Sequence, residues 1–246
     1  MYKYTEILGL KTRFTKEDDG NAVLFLHGWG GNVDSFKIIS DKLRCCKISL
    51  DLWGQGESEA PEGWTIERYA DAIYLFLKYL KISNVTIVAH SFGCRVAVAF
   101  AAKYLHNING LVLLSAAGFR FFSVKRLFKI ANYKFKKMLV KHNLIKNRLD
   151  RYGSEDYKIL NSKMKKEFNL IVKEDLSKYA KRIKCKTLLI WGDRDCETPL
   201  KYMKRYNKLI KNSKCVVISG NHYAYLNSSF FIAIKIQNFI NVLSTL

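Results

Sequence analysis

Val85-Thr86-Ile87-Val88-Ala89-His90-Ser91-Phe92-Gly93-Cys94-Arg95-Val96-Ala97-Val98-Ala99 runs from a short apolar segment through a turn into an apolar helix, and Ser91 stands at the turn. A serine there can hold its hydroxyl above the edge of a sheet, while the N–H of Phe92, opening the helix, points to where an oxyanion would form. So tight a turn needs small residues two before and two after the serine, and Ala89 and Gly93 are small. The chemistry on offer is nucleophilic; the competing reading of the same residues is a solvated serine in an ordinary strand-to-helix loop. Other groups that could take part are five histidines, at 27, 90, 106, 142 and 222, and three carboxylates, Asp193, Asp195 and Glu197, just after the apolar run Thr187–Trp191.

The elements that would position these groups read as a strand-and-helix alternation. Ala22–Leu26, Lys47–Leu50, Val85–Val88, Gly110–Leu114, Thr187–Trp191 and Cys215–Ile218 are short apolar runs of strand type. Ile66, Tyr69, Ala70, Ile73, Leu77 and Leu80 recur at three and four, one face of an amphipathic helix, and a closing helix is expected from Tyr225 to Leu243. Tyr4 to Thr15 suits a small antiparallel hairpin. The expected fold class is α/β, a mainly parallel sheet flanked by helices, interrupted between residues 119 and 184. In that interruption Val124, Leu127, Phe128, Ala131, Phe135, Met138 and Ile145 keep helical spacing, with Lys125, Lys129, Lys136, Lys137 and Lys141 between them. The domains expected are a core of residues 1–118 and 185–246 and a helical, basic cap, or lid, of residues 119–184.

The 246 residues are 49% apolar and 26% charged, which excludes collagen-like, coiled-coil and disordered classes. The net charge of +21 invites comparison with nucleic-acid binders, but it is uneven: residues 119–184 hold 20 basic and 6 acidic side chains, the rest of the chain 22 and 15. With no nucleic-acid-binding motif beside it, this charge points away from nucleic acid. Solvated lysines without a partner are the plainer reading; an acidic carrier protein or an anionic membrane surface are the functional ones. The first residues lack a signal peptide's apolar core, no apolar run is long enough to span a bilayer, and the six cysteines form no CxxC pair. A cytoplasmic chain with reduced, buried, inert cysteines is the expectation.

On the Ser91 turn the sequence resembles the α/β-hydrolase superfamily, in its serine esterase and lipase-like branch with a helical cap, from about Ala22 to about Phe239. That family usually has Gly-x-Ser-x-Gly, so Ala89 is a mild departure, and Cys94 replaces a frequent further glycine. His27-Gly28-Trp29-Gly30-Gly31 is similar to the family's oxyanion loop, which implies the N–H of Trp29 as a second donor beside that of Phe92. A phosphate loop is the weaker reading, lacking a Lys-Ser/Thr ending and GxGxxG. Asp51-Leu52-Trp53-Gly54-Gln55-Gly56-Glu57-Ser58 matches another family motif, with Asp51 structural. The family order of serine, acid, histidine implies His222, the one histidine beyond the interruption, as base, and the family pattern Gly-x-x-Asp implies Asp195 as acid ahead of Asp193 and Glu197.

The resemblance implies hydrolysis of a carboxylic ester, a small or acyl-chain substrate, through an acyl-enzyme on Ser91, Asp195 and His222, with neither metal nor organic cofactor. Phe119, Phe121 and Phe122 are expected to line an apolar substrate pocket under the lid. Carbon–carbon cleavage of a diketone and thioester, lactone or amide hydrolysis are alternatives on the same triad, and a non-catalytic receptor or scaffold of the same fold is the alternative outside catalysis.

Overall fold

The computed structural model describes residues 1–121 and 162–244, together with Asn132 and Met138. Eight strands form one sheet: β1 (Tyr2–Ile7), β2 (Leu10–Glu17), β3 (Ala22–Leu26), β4 (Cys46–Leu50), β5 (Val85–His90), β6 (Ile108–Leu114), β7 (Lys186–Gly192) and β8 (Ser213–Ile218), in the order β1-β2-β4-β3-β5-β6-β7-β8. β3 to β8 pair in parallel; β1 and β2 form an antiparallel hairpin joined through β4. The helices among the described residues are α1 (Lys37–Ser40), α2 (Ile66–Tyr79), α3 (Phe92–Lys103), α4 (Ser162–Ile171), α5 (Ser177–Ala180), α6 (Lys201–Leu209), α7 (Ala224–Asn227) and α8 (Ser229–Ser244).

Strands β3, β5 and β6 are apolar on both faces, as parallel strands covered on two sides must be. Alternation along them divides the core. Leu24, Leu26, Ile87, Ala89, Leu111 and Leu113 face a core closed by α2, α3 and α5, while Val23, Phe25, Val88, Val112 and Leu114 face one closed by α1 and by Ile232, Ile236 and Ile240 of α8. The α2 stripe read from spacing is the buried one, and Thr65 caps its start by accepting the Arg68 N–H at 3.3 Å. Helix α3 has no wet face: every residue from Phe92 to Ala102 is buried. Its small residues let it lie deep between sheet and neighbours.

Three expectations need correction. The closing helix is two helices, α7 and α8, parted at Ser228, whose φ of −106° and ψ of 26° leave the helical range. Cys196 and Cys215 are exposed, the first in a loop after β7 and the second on the sheet-edge strand β8, whereas Cys45, Cys46 and Cys94 are buried as expected. Met138 is helical but 48% exposed, so helical spacing did not identify an inward position there. The other residues that the spacing picked out, from Val124 to Ile145, lie outside the described residues. The described end of the interruption packs on the first core through Met164, Ile171, Leu176 and Tyr179. No helix among the described residues is long and apolar enough to cross a membrane.

Candidate active site

Ser91 joins β5 to α3 with φ +48° and ψ −106°, a conformation that a side chain disfavours and that costs about 1–3 kcal/mol. The surroundings enforce it. A Cβ at Gly93 would collide with the carbonyl oxygens of Leu26 and His27, so only glycine lets α3 sit this close to β3. Ala89 is fully buried, and the Cys94 thiol donates to its carbonyl at 3.1 Å, using a position where a smaller residue would leave a gap.

The strained turn aims the Ser91 hydroxyl at His222. Ser91 Oγ lies 2.9 Å from His222 Nε2, and His222 Nδ1 lies 2.9 Å from Asp195 Oδ2. With Nδ1–H donating to the carboxylate, Nε2 is left to accept the serine proton. All three residues are buried. Asp195 accepts N–H bonds from Glu197 (2.9 Å) and Thr198 (2.8 Å) on Oδ1, and Thr198 Oγ1 lies 2.8 Å from Oδ2. Burial by itself would raise the Asp195 pKa, but the His222 hydrogen bond and charge and the Thr198 donors outweigh it, holding the carboxyl below the usual range. Asp193 is turned away: it is exposed and accepts the Gly220 N–H at 2.8 Å. Glu197 is exposed beside the cleft.

Two other histidines hold the loops. His27 Nδ1 is 2.7 Å from the Gly28 carbonyl and its Nε2 accepts the Leu52 N–H at 3.0 Å, which pins the glycine loop to the Asp51 loop. His90 Nε2 donates to the His222 carbonyl at 3.1 Å and so fixes the backbone that presents the imidazole. Burial pushes His90 down to about 3 and lowers His27 as well, so both are neutral spacers. His106 is an exposed turn residue. His142 lies outside the described residues. Asp51 accepts the N–H groups of Val33 (2.6 Å) and Glu57 (2.7 Å) and pairs with Arg13 Nε at 2.8 Å, the structural part expected of it.

Trp29 and Phe92 stack ring on ring at 4.0 Å, and neither backbone N–H has an acceptor among the described residues. Two donors thus remain beside Ser91. They border a cleft of about 190 Å³ whose walls include Phe119, Phe168 and Tyr202. Of the three expected substrate-binding aromatics, Phe119 lines the cleft; Phe121 instead packs on Tyr202 at 4.8 Å, drawn onto α6 by Lys201 and Arg205 over its ring, and does not line it. Phe122 lies outside the described residues.

Three residues that the sequence did not single out belong here. Thr198 braces Asp195, Gln55 accepts the Gly30 N–H at 2.9 Å and so fixes the peptide after Trp29, and Arg95 lines the cleft. Only Arg95 left a trace in sequence, as a charge inside an apolar helix.

A family model described as the alpha/beta hydrolase fold matches residues 21–136. An uncharacterised protein of Mycobacterium tuberculosis is 34% identical over 119 residues, 47% of this chain and 35% of that protein, so the match spans about a third of that relative. Lipase 3 of a Moraxella species is 28% identical over 218 residues, covering 76% of this chain and 67% of the lipase. The crystal structure of a bacterial membrane phospholipase A superposes with a TM-score of 0.78 at 18% identity, over 100% of this chain and 87% of that one, a likeness of fold. Sheet order and matched segment agree, and the chain has the α/β-hydrolase fold.

Proposed function

We propose that the chain is a serine hydrolase that cleaves a carboxylic ester through an acyl-enzyme. The observation that carries this reading is the unbroken line Ser91 Oγ, His222 Nε2, His222 Nδ1, Asp195 Oδ2, each contact 2.9 Å, set on a strained turn at the floor of a cleft. His222 takes the Ser91 proton as Oγ attacks the carbonyl carbon, and the N–H groups of Trp29 and Phe92 hold the oxyanion. The imidazolium, stabilised by Asp195, returns its proton to the leaving alkoxide. Water then enters, gives its proton to His222 and attacks the acyl carbon; Ser91 leaves with a proton and the acid departs. Phe119 and Phe168 supply apolar wall for the acyl chain.

Lipase-named and hydrolase-named relatives support hydrolysis as the reaction class. Substrate class is tested with ethyl and nitrophenyl esters of increasing acyl length, a thioester, a lactone and a dienoic diketone in one panel. Ester turnover that varies with acyl length is the expected result. Turnover of the diketone alone would replace the substrate class, and no turnover of any member by well-folded protein would favour a receptor.

A further inference from the structure

Arg95 stands one helical turn beyond Ser91 and is the one charged residue of α3 before Lys103. Its side chain is 3% exposed, yet among the described residues no carboxylate lies within ion-pair distance of it. The guanidinium donates only to carbonyl oxygens, Nη1 to Glu174 at 3.0 Å and Nη2 to Val172 and Glu174 at 3.2 Å each. Its Nε, buried, has no acceptor. The nearby acids are engaged elsewhere: the Glu174 carboxylate accepts the Tyr179 hydroxyl at 3.0 Å, and Asp175 accepts the N–H groups of Arg120 at 3.1 Å and Ser177 at 2.9 Å. A buried cation bonded only to carbonyl oxygens lacks a contacting anion to offset its desolvation, and burial lowers the Arg95 pKa although the Glu174 and Asp175 charges, farther off, partly oppose it.

The same residue lines the cleft that holds Ser91, where Arg120 is a second cation and exposed Glu197 the lone acid among the lining residues. The geometry points to a carboxylate-binding subsite at Arg95, so that the substrate is an ester carrying a second, ionised carboxylate on a short acyl chain. This rests on the ester-hydrolase reading above. A guanidinium edge matches the two oxygens of a carboxylate. Ser91 and Arg95 line the same cleft of about 190 Å³, so a short chain of methylenes fits between a scissile carbonyl at Ser91 and the Arg95 side chain. A clamp for the Val172 and Glu174 carbonyls alone would need donors but no charge left without a contacting anion at the cleft.

The test compares monoethyl glutarate with ethyl pentanoate, matched in chain length, by pH-stat. Hydrogen bonds to a charged group correspond to about a tenfold to hundredfold effect, so kcat/KM for monoethyl glutarate should exceed that for ethyl pentanoate at least about tenfold. In Arg95→Met the ratio should collapse toward one, chiefly through KM, and Arg95→Lys should keep part of it. If Arg95→Met does not fold, free glutarate added to the wild-type protein should inhibit ethyl pentanoate hydrolysis competitively, and neutral glutaramide should not. Cleavage of ethyl pentanoate with no preference and no glutarate inhibition overturns the subsite and leaves the ester-hydrolase reading standing. Failure to cleave either ester overturns that reading, and the subsite with it. A fall of both rates by the same factor in Arg95→Met assigns Arg95 to the backbone clamp alone.

Discussion

Asp51 and Asp195 are two buried aspartates, each just past the C-terminal end of a parallel strand, β4 and β7, and each accepts two backbone N–H groups. They differ in the side chain opposite. Asp51 faces Arg13, whose charge is permanent, and the pair ties the opening hairpin to the glycine loop. Asp195 faces His222, which can take up a proton and whose other nitrogen reaches Ser91. The same carboxylate, held by the same kind of donors, meets a fixed charge in one place and a titratable ring in the other, and on the proposed mechanism it would steady a transient charge there.

Removing the end of the Asp195 line should erase that distinction most completely. Ser91→Ala should lower ester turnover by about six orders of magnitude while the melting transition is kept, on the scale known for removing a triad serine; comparing rates with circular-dichroism melts checks both halves. Asp195→Asn should keep the fold and cost about four orders of magnitude, because an amide holds the imidazole in the wrong tautomer, and Asp193→Asn should not approach it. If Asp193→Asn proves the slower enzyme, the acid has been misassigned.

Asp51→Asn should do the reverse. It should cost about 3 kcal/mol of stability by leaving Arg13 short of its buried partner, with the activity of the remaining folded fraction nearly intact. Urea titration alongside assays at low temperature separates the two quantities.

The histidines refine the same contrast between fixed and changing charge. His90, held down to about 3, and His27, also lowered, stay neutral in the fold, whereas in the unfolded chain each protonates near 6.5. Between about pH 6.5 and 3 the unfolded state therefore binds more protons at His90, and stability should fall as pH falls, by up to about 1.4 kcal/mol per pH unit for that imidazole, with His27 acting in the same direction. Urea midpoints at pH 7, 6, 5 and 4 check the slope; a flat series would mean that these rings are not buried neutral.

The strands were legible because each is a short apolar run with punctuation on both sides, and Ser91 because strand, small residues and apolar helix coincide in fifteen consecutive positions. His222 and Asp195 became legible only through the resemblance, since nothing local separates Asp195 from Asp193 or Glu197. Contacts that only the folded backbone creates hid the rest. Thr198 matters because its N–H and hydroxyl reach a carboxylate three residues back, Gln55 because it meets Gly30 across two loops, and Arg95 because a segment 77 to 79 residues away meets it with carbonyls while its carboxylates bond elsewhere. The exposure of Cys215 follows from the edge position of β8, a property of strand order that composition does not encode.

The central claim is that Ser91 forms the acyl-enzyme, and covalent trapping addresses it most directly. Treated with a fluorophosphonate and digested, the protein should yield one adduct, on the peptide containing Ser91, at one equivalent per chain, and Ser91→Ala should yield none. An adduct on any other residue, or labelling that persists in Ser91→Ala, would contradict the account.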